Sequence, residues 1–102
     1  MDKMGYDYLI VGAGLFGCFL AERIANGLNN KVLIIDSRSH IGGNCYSEFC
    51  PETNIEFHRY GTHIFHTSNK RVWDYISKFT EFNSYHHQVL TVHKTALCLV
   101  HQ

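Results

Sequence analysis

Two short apolar runs, Tyr8–Val11 and Val32–Ile35, bracket a segment whose apolar residues recur at helical spacing. The second run, Val-Leu-Ile-Ile, is unbroken, a pattern expected of a strand buried on both faces of a parallel sheet. Between the runs, Leu15, Phe16, Phe19, Leu20 and Ile24 fall three and four residues apart, with Glu22, Arg23 and Asn26 off that stripe. This spacing predicts a helix over 15–26. Gly27 or the Asn29-Asn30 pair would end it, because these residues accept the left-handed backbone of a helix C-cap. The order strand, helix, strand predicts an α/β fold built on a Rossmann-like βαβ unit with a parallel sheet.

The pattern beyond Val32–Ile35 is less regular. Residues 45–53, with Glu48, Pro51 and Glu52, read as a surface loop, and 55–60 alternate loosely enough for a short strand. A second helix is expected to begin at Ser68 or Asn69, either of which can serve as N-cap. Val72, Trp73, Ile76 and Phe79 would form its buried stripe, with Lys70, Arg71, Asp74 and Lys78 outside. Trp73 is expected in the core. Residues 85–93, YHHQVLTVH, suit a strand by composition, with Val89, Leu90 and Val92 as buried candidates. The last residues, KTALCLVHQ, end on an apolar segment, so the chain reads as the front of something larger.

Composition narrows the function classes. A chain of 102 residues is at most one domain, expected to occupy 1–102, and long enough to bury a core. Its formal net charge is zero with neutral histidines, which gives no reason to expect a nucleic acid or an anionic membrane as partner. The apolar runs are too short to span a bilayer. The first strand begins so early that a signal peptide has no room, and a cytoplasmic location is expected. The four cysteines, Cys18, Cys45, Cys50 and Cys98, include no CxxC pair and read as free thiols, with Cys18 in the core.

The chemistry begins where the first apolar run ends, at Gly12-x-Gly14-x-x-Gly17. In a dinucleotide-binding turn the first glycine allows a sharp bend off the strand. The second lets backbone approach a pyrophosphate, and the third lets helix and strand pack closely. The helix N-terminus then offers free N–H groups and a positive dipole end to phosphate. Asp36 closes the second strand roughly 20 residues later, where a carboxylate can accept the hydroxyls of an adenosine ribose. The competing reading is a βαβ unit with no ligand. The Gly42-Gly43 doublet marks a place where backbone passes close to a flat group or to another segment, here a cofactor by preference over a plain turn. Arg38 would neutralise phosphate, cover adenine or remain solvated. His63 and His66 invite a metal, but residues three apart on a strand face opposite sides, so a core or pocket role is preferred and no metal is expected.

Taken together, Gly12-Ala-Gly14-Leu15-Phe16-Gly17, Asp36, His40-Ile41-Gly42-Gly43-Asn44 and Tyr60-Gly61-Thr62-His63-Ile64-Phe65-His66-Thr67 resemble UDP-galactopyranose mutase. Trp73-Asp74-Tyr75 and Glu81-Phe82-Asn83 fit as well. The resemblance runs from Tyr6 to about Val92 and then stops, which raises the expectation of a frameshift, an early stop or a gene fragment. It implies an N-terminal FAD-binding portion, incomplete relative to the full family fold and lacking the substrate-binding helical domain. Family members interconvert UDP-galactopyranose and UDP-galactofuranose, an isomerisation serving galactofuranose in cell-surface polysaccharide. The N5 atom of reduced FAD attacks the anomeric carbon and expels UDP, and the sugar ring opens and recloses. Carried onto this chain, Gly12, Gly14, Phe16 and Gly17 would hold the FAD pyrophosphate and Asp36 the ribose, with Ser37 and Arg38 flanking it. Gly43 and Asn44 would meet the flavin side, and His63 and Ile64 would lie against the isoalloxazine. His63 is the candidate catalytic residue, and His87 a candidate at the edge of the substrate pocket. UDP-galactose is the implied substrate, and the family allows a homodimer for its full-length members.

The chain alone is expected to be inactive. Two other readings stand beside this one: a truncated, non-catalytic FAD- or ADP-binding fragment, and the front of an amine-oxidase-like flavin oxidoreductase. The second shares the glycine loop and the doublet but is not expected to carry YGTHIFHT.

Overall fold

The computed structural model describes residues 5–94 and the backbone of 96–100. The chain divides into two compact units, one up to Phe65 and one from His66 onward. The first opens with β1 (Tyr8–Val11), α1 (Leu15–Glu22), which widens into a π-helical turn over Arg23–Gly27, and β2 (Val32–Ile35). The strands pair in parallel, Tyr8 with Val32 through Val11 with Ile35. Asp7 ties their starting ends together: its N–H donates to the Lys31 carbonyl at 2.9 Å, and its carboxylate accepts the Lys31 N–H at 2.8 Å. The predicted helix is therefore present over its whole length. Asn29, at φ 56°, provides the left-handed residue beyond its end.

The core lies on one face of this pair. Ile10, Ala21 and Ile24 are buried together, with Leu20, Val32 and Ile34 packed against them. Burial of an isoleucine such as Ile10 or Ile24 contributes roughly 2 kcal/mol. The expectation that Val32–Ile35 is buried on both faces is wrong. Leu9 and Val11 are 61% and 78% exposed, and Leu33 and Ile35 on the same side are exposed too. Side chains alternate across a strand, so the single helix α1 covers one set and leaves the other to solvent.

Residues 45–53 also depart from expectation. A short 3-10 turn, Gly43–Cys45, leads into β3 (Ser47–Phe49), which pairs antiparallel with β4 (Glu56–His58). Glu48 and Arg59 meet at 2.6 Å and Ser47 Oγ meets His58 Nδ1 at 3.1 Å, so cross-strand contacts favour a strand that composition did not suggest. The strand expected within 55–60 is β4 itself.

In the second unit, α2 (Lys70–Ile76) starts where expected. Asn69 is the cap, its Oδ1 accepting the N–H groups of Arg71 at 2.9 Å and Val72 at 3.4 Å. The buried stripe is not borne out. Val72 is 42% and Trp73 41% exposed, no residue of α2 is buried, and Phe79 lies past the helix end. Trp73 instead stacks on Phe82, ring centroids 4.7 Å apart. Strand β5 is shorter than predicted, Val89–His93, and pairs antiparallel with β6 (Ala96–Val100), which takes up the apolar tail. Val89, Leu90 and Val92 are exposed rather than buried. Among the described residues no helix is long and apolar enough to cross a membrane.

Candidate dinucleotide site

The end of β1 shapes the site. Gly12 donates its N–H to the Ile35 carbonyl at 2.7 Å, extending the parallel ladder by one bond. It then turns at φ 103°, a backbone that side-chain-bearing residues rarely adopt. Gly14 follows in extended conformation as the N-cap of α1. No side chain caps this helix end and its first turn carries no acidic residue, so its first N–H groups have no side-chain cap. The third glycine does what its spacing predicts. A Cβ on Gly17 would stand 1.9 Å from the Gly12 carbonyl oxygen, so only glycine lets α1 approach the turn this closely.

The Gly42-Gly43 doublet meets this same turn. Gly42 donates its N–H to the Ala13 carbonyl at 2.8 Å. A Cβ on Gly43 would fall 2.9 Å from the Gly14 Cα. Two glycine segments far apart in sequence thus press backbone on backbone.

Asp36 ties the first glycine turn to the segment that follows β2. Its Oδ2 accepts the Ala13 N–H at 2.6 Å and its Oδ1 the Arg38 N–H at 2.8 Å. The Ala13 bond first, and then the Arg38 bond, hold this carboxyl below the usual carboxylate range, outweighing desolvation, with the charges of Arg38 and His40 adding to the effect. Asp36 is exposed, and each carboxylate oxygen, with two lone pairs, keeps one for a further donor.

Arg38 is engaged within the chain. Its Nη2 donates to Asn44 Oδ1 at 3.0 Å, and its guanidinium lies 4.2 Å over the Tyr60 ring. It borders a cavity of about 280 Å³ lined also by Ser39, His40, Tyr46, Glu48, Arg59 and Tyr60. Ser37 is exposed, and so is the Phe16 side chain, at 77%.

Gly12, Gly14, Gly17, Asp36, Arg38, Gly43 and Asn44 are therefore drawn into one set of contacts. His63 and Ile64 lie outside that set, on the segment after Tyr60. His63 Nδ1 bonds the Gly61 carbonyl at 2.6 Å, folding the imidazole onto its own turn. His87 belongs to the second unit, where its Nδ1 meets the Tyr85 hydroxyl at 3.3 Å. Sequence reasoning gave no role to His40, Tyr46 or Tyr60. The clue in hand was an aromatic or histidine at each of these positions around a glycine doublet. Among the described residues, no three of His, Cys, Asp and Glu gather as a metal site. Cys18, Cys45 and Cys50 are free thiols, and Cys18 is half-buried, while the Cys98 side chain lies outside the described residues.

The match to known proteins agrees with this geometry. Residues 10–79 match the family described as NAD(P)-binding Rossmann-like domain. The chain belongs to that family. As a Rossmann-like domain it is also 54% identical, over 84 residues, to a UDP-galactopyranose mutase of Mycoplasma genitalium, covering 82% of this chain and 20% of that protein. It is 42% identical over 84 residues to a UDP-galactopyranose mutase of Mycoplasma pneumoniae, covering 82% and 21%. A dTDP-fucopyranose mutase of Escherichia coli is 49% identical over 77 residues, covering 76% and 20%. The resemblance drawn from the motifs is borne out by these relatives. The chain spans about one-fifth of their length.

Proposed function

We propose that this chain is the cofactor-holding portion of a flavin-dependent UDP-galactopyranose mutase and that its ligand is FAD. The observation that carries the reading is the cradle made by Gly12, Gly14, Gly17 and Gly43 at the uncapped start of α1, with the ionised Asp36 at its side. The residues fit the cofactor. Uncapped N–H groups and a positive helix end suit a pyrophosphate, glycines leave room for backbone to approach it, and a carboxylate with spare lone pairs suits ribose hydroxyls. Ser37 and Arg38 flank the ribose, and Phe16, Gly43 and Asn44 complete the contacts. His63 and Ile64 are assigned to the flavin ring, with His63 tuning it or touching the sugar, and His87 is assigned to the substrate edge.

Reduced FAD, when bound, supplies a nucleophilic N5 for the anomeric carbon of the UDP-sugar. This chain's own residues bind and orient the cofactor and favour its charged groups. Relatives named for two different sugar nucleotides match similar shares of the chain. That supports a role for this portion in the shared chemistry rather than in choosing the sugar. The remainder of such a protein would supply the UDP-sugar site, so the 102-residue chain alone is expected to show no turnover. The full-length protein is read as cytoplasmic and able to form a homodimer.

The test is an absorption spectrum of the purified chain after FAD addition and gel filtration. Retained flavin absorbance that is lost in Asp36→Ala supports the reading. A chain that elutes folded and colourless overturns it for this polypeptide.

A further inference from the structure

The Gly42-Gly43 turn has no side chains of its own with which to hold its position, yet both residues take left-handed backbone, at φ 94° and 58°, and Gly43 presses on Gly14. The residues on either side of the doublet supply the hold. On the leading side, His40 stacks flat on Tyr46, centroids 3.8 Å apart and planes at 11°. Arg38, also on the leading side, bonds Asn44 on the trailing side at 3.0 Å. Both leading residues reach Tyr60: His40 Nε2 lies 2.8 Å from its hydroxyl, and Arg38 lies over its ring. The position of Tyr60 is set by the β3–β4 hairpin, through the Arg59 N–H on the Tyr46 carbonyl at 3.2 Å and the Arg59–Glu48 pair.

The hydrogen bonding has one consistent assignment for a neutral ring. His40 Nδ1 faces the Ile41 carbonyl at 3.1 Å, which can only accept, so the proton sits on Nδ1. Nε2 then accepts from the Tyr60 hydroxyl.

We infer that His40 and Tyr60 are positioning residues for the Gly42-Gly43 turn, and through it for the edge of the glycine cradle formed by Ala13 and Gly14. Tyr60 closes a ring around the doublet from the turn that follows β4 and restricts a turn that glycine alone would leave free. The consequence for a bound cofactor rests on the FAD reading above. The positioning itself does not.

The experiment uses the full chain and two conservative variants. Tyr60→Phe keeps the ring under Arg38 and removes only the hydroxyl, while His40→Phe keeps a flat ring for Tyr46 and removes both ring nitrogens. Amide hydrogen exchange at Gly42, whose N–H bonds Ala13, reads the turn directly, and the amides of Ile10 and Ile35 in the β1–β2 ladder read the fold. Loss of the His40–Tyr60 hydrogen bond is expected to speed Gly42 exchange about fivefold in Tyr60→Phe, and at least as much in His40→Phe, which also loses the Ile41 bond, with the ladder unchanged. The double variant should be no worse than the worse single one, because both remove the same bond between His40 and Tyr60. An unchanged Gly42 rate, or a ladder that speeds up equally, would overturn the inference. FAD titration of the same proteins separates the two claims. A wild-type chain that takes up no FAD sinks the proposed function while the amide rates still decide the positioning role. In a chain that does bind, the variants should weaken binding by a factor similar to the Gly42 change.

Discussion

The two helices make the sharpest contrast in this protein. Each follows a residue that sets its start, yet only α1 has a core beneath it, and of its expected apolar stripe Leu15, Phe16 and Phe19 stay exposed while Ile24 is buried. Helix α1 buries Gly17 and Ala21, and Ile24 in its π-helical extension, against Ile10. Helix α2 buries nothing. The difference lies in what each helix meets. Helix α1 returns the chain to a second parallel strand, and Gly17 lets it settle within atomic contact of the turn it left. Helix α2 meets Phe82 through the face of Trp73 and leads to a hairpin whose described residues are all exposed. Apolar periodicity says which face of a helix can be buried, and a packing partner decides whether it is.

The largest expected effect breaks the well-packed side of that contrast. Gly17→Ala puts a Cβ against the Gly12 carbonyl oxygen, where backbone rather than a flexible side chain must yield. We expect a loss of about 3 kcal/mol in urea unfolding, at the upper end of the usual overpacking cost. If Gly17→Ala unfolds like the wild type, the close approach of α1 is not what holds the unit together.

Gly43→Ala should cost less, about 2 kcal/mol, from the left-handed backbone and the contact with Gly14. It should also weaken FAD binding, as read by flavin fluorescence titration. Asn69→Ala probes the other helix. It removes the side-chain acceptor for the Arg71 and Val72 N–H groups and should cost about 1 kcal/mol, read as faster exchange of those two amides. Its effect on β1–β2 amides shows whether the two units unfold together or apart.

The smallest effect is a pH dependence. The folded pKa of Asp36 is depressed below 3.8, so its stabilisation is complete above the unfolded value, about 3.9, and is lost as pH falls through the folded pKa. The melting temperature of the wild type should therefore fall in that acid window. Asp36→Asn should lose this part of the slope and leave only that of the other carboxylates. Identical slopes would mean that the Ala13 and Arg38 N–H bonds do not favour the ionised form.

Much of the first unit was legible because its signals are local. Glycine spacing, helical periodicity and a closing acid each depend on a few neighbouring residues, and β1, α1 and β2 lie where those signals put them. The Asn69 cap was legible for the same reason. Composition misjudged β3, since Ser47 and Glu48 favour a strand only once His58 stands opposite Ser47 and Arg59 reaches Glu48 diagonally. The alternation of strands was read correctly as far as their existence, but Leu9, Val11, Leu33 and Ile35 show that an apolar run does not say how many faces are covered.

By itself the sequence determined the strand-glycine-helix-strand-acid order, and with it the Rossmann-like family. Backbone conformation and hydrogen-bond chemistry at those positions admit few alternatives. Only the tertiary structure decided that Gly43 touches Gly14, that Asp36 bridges the Ala13 and Arg38 amides, and that Tyr60 reaches back to His40. The Gly43–Gly14, Asp36–Ala13 and Tyr60–His40 contacts join residues far apart in the chain, the last across the β3–β4 hairpin, and no single residue type encodes them.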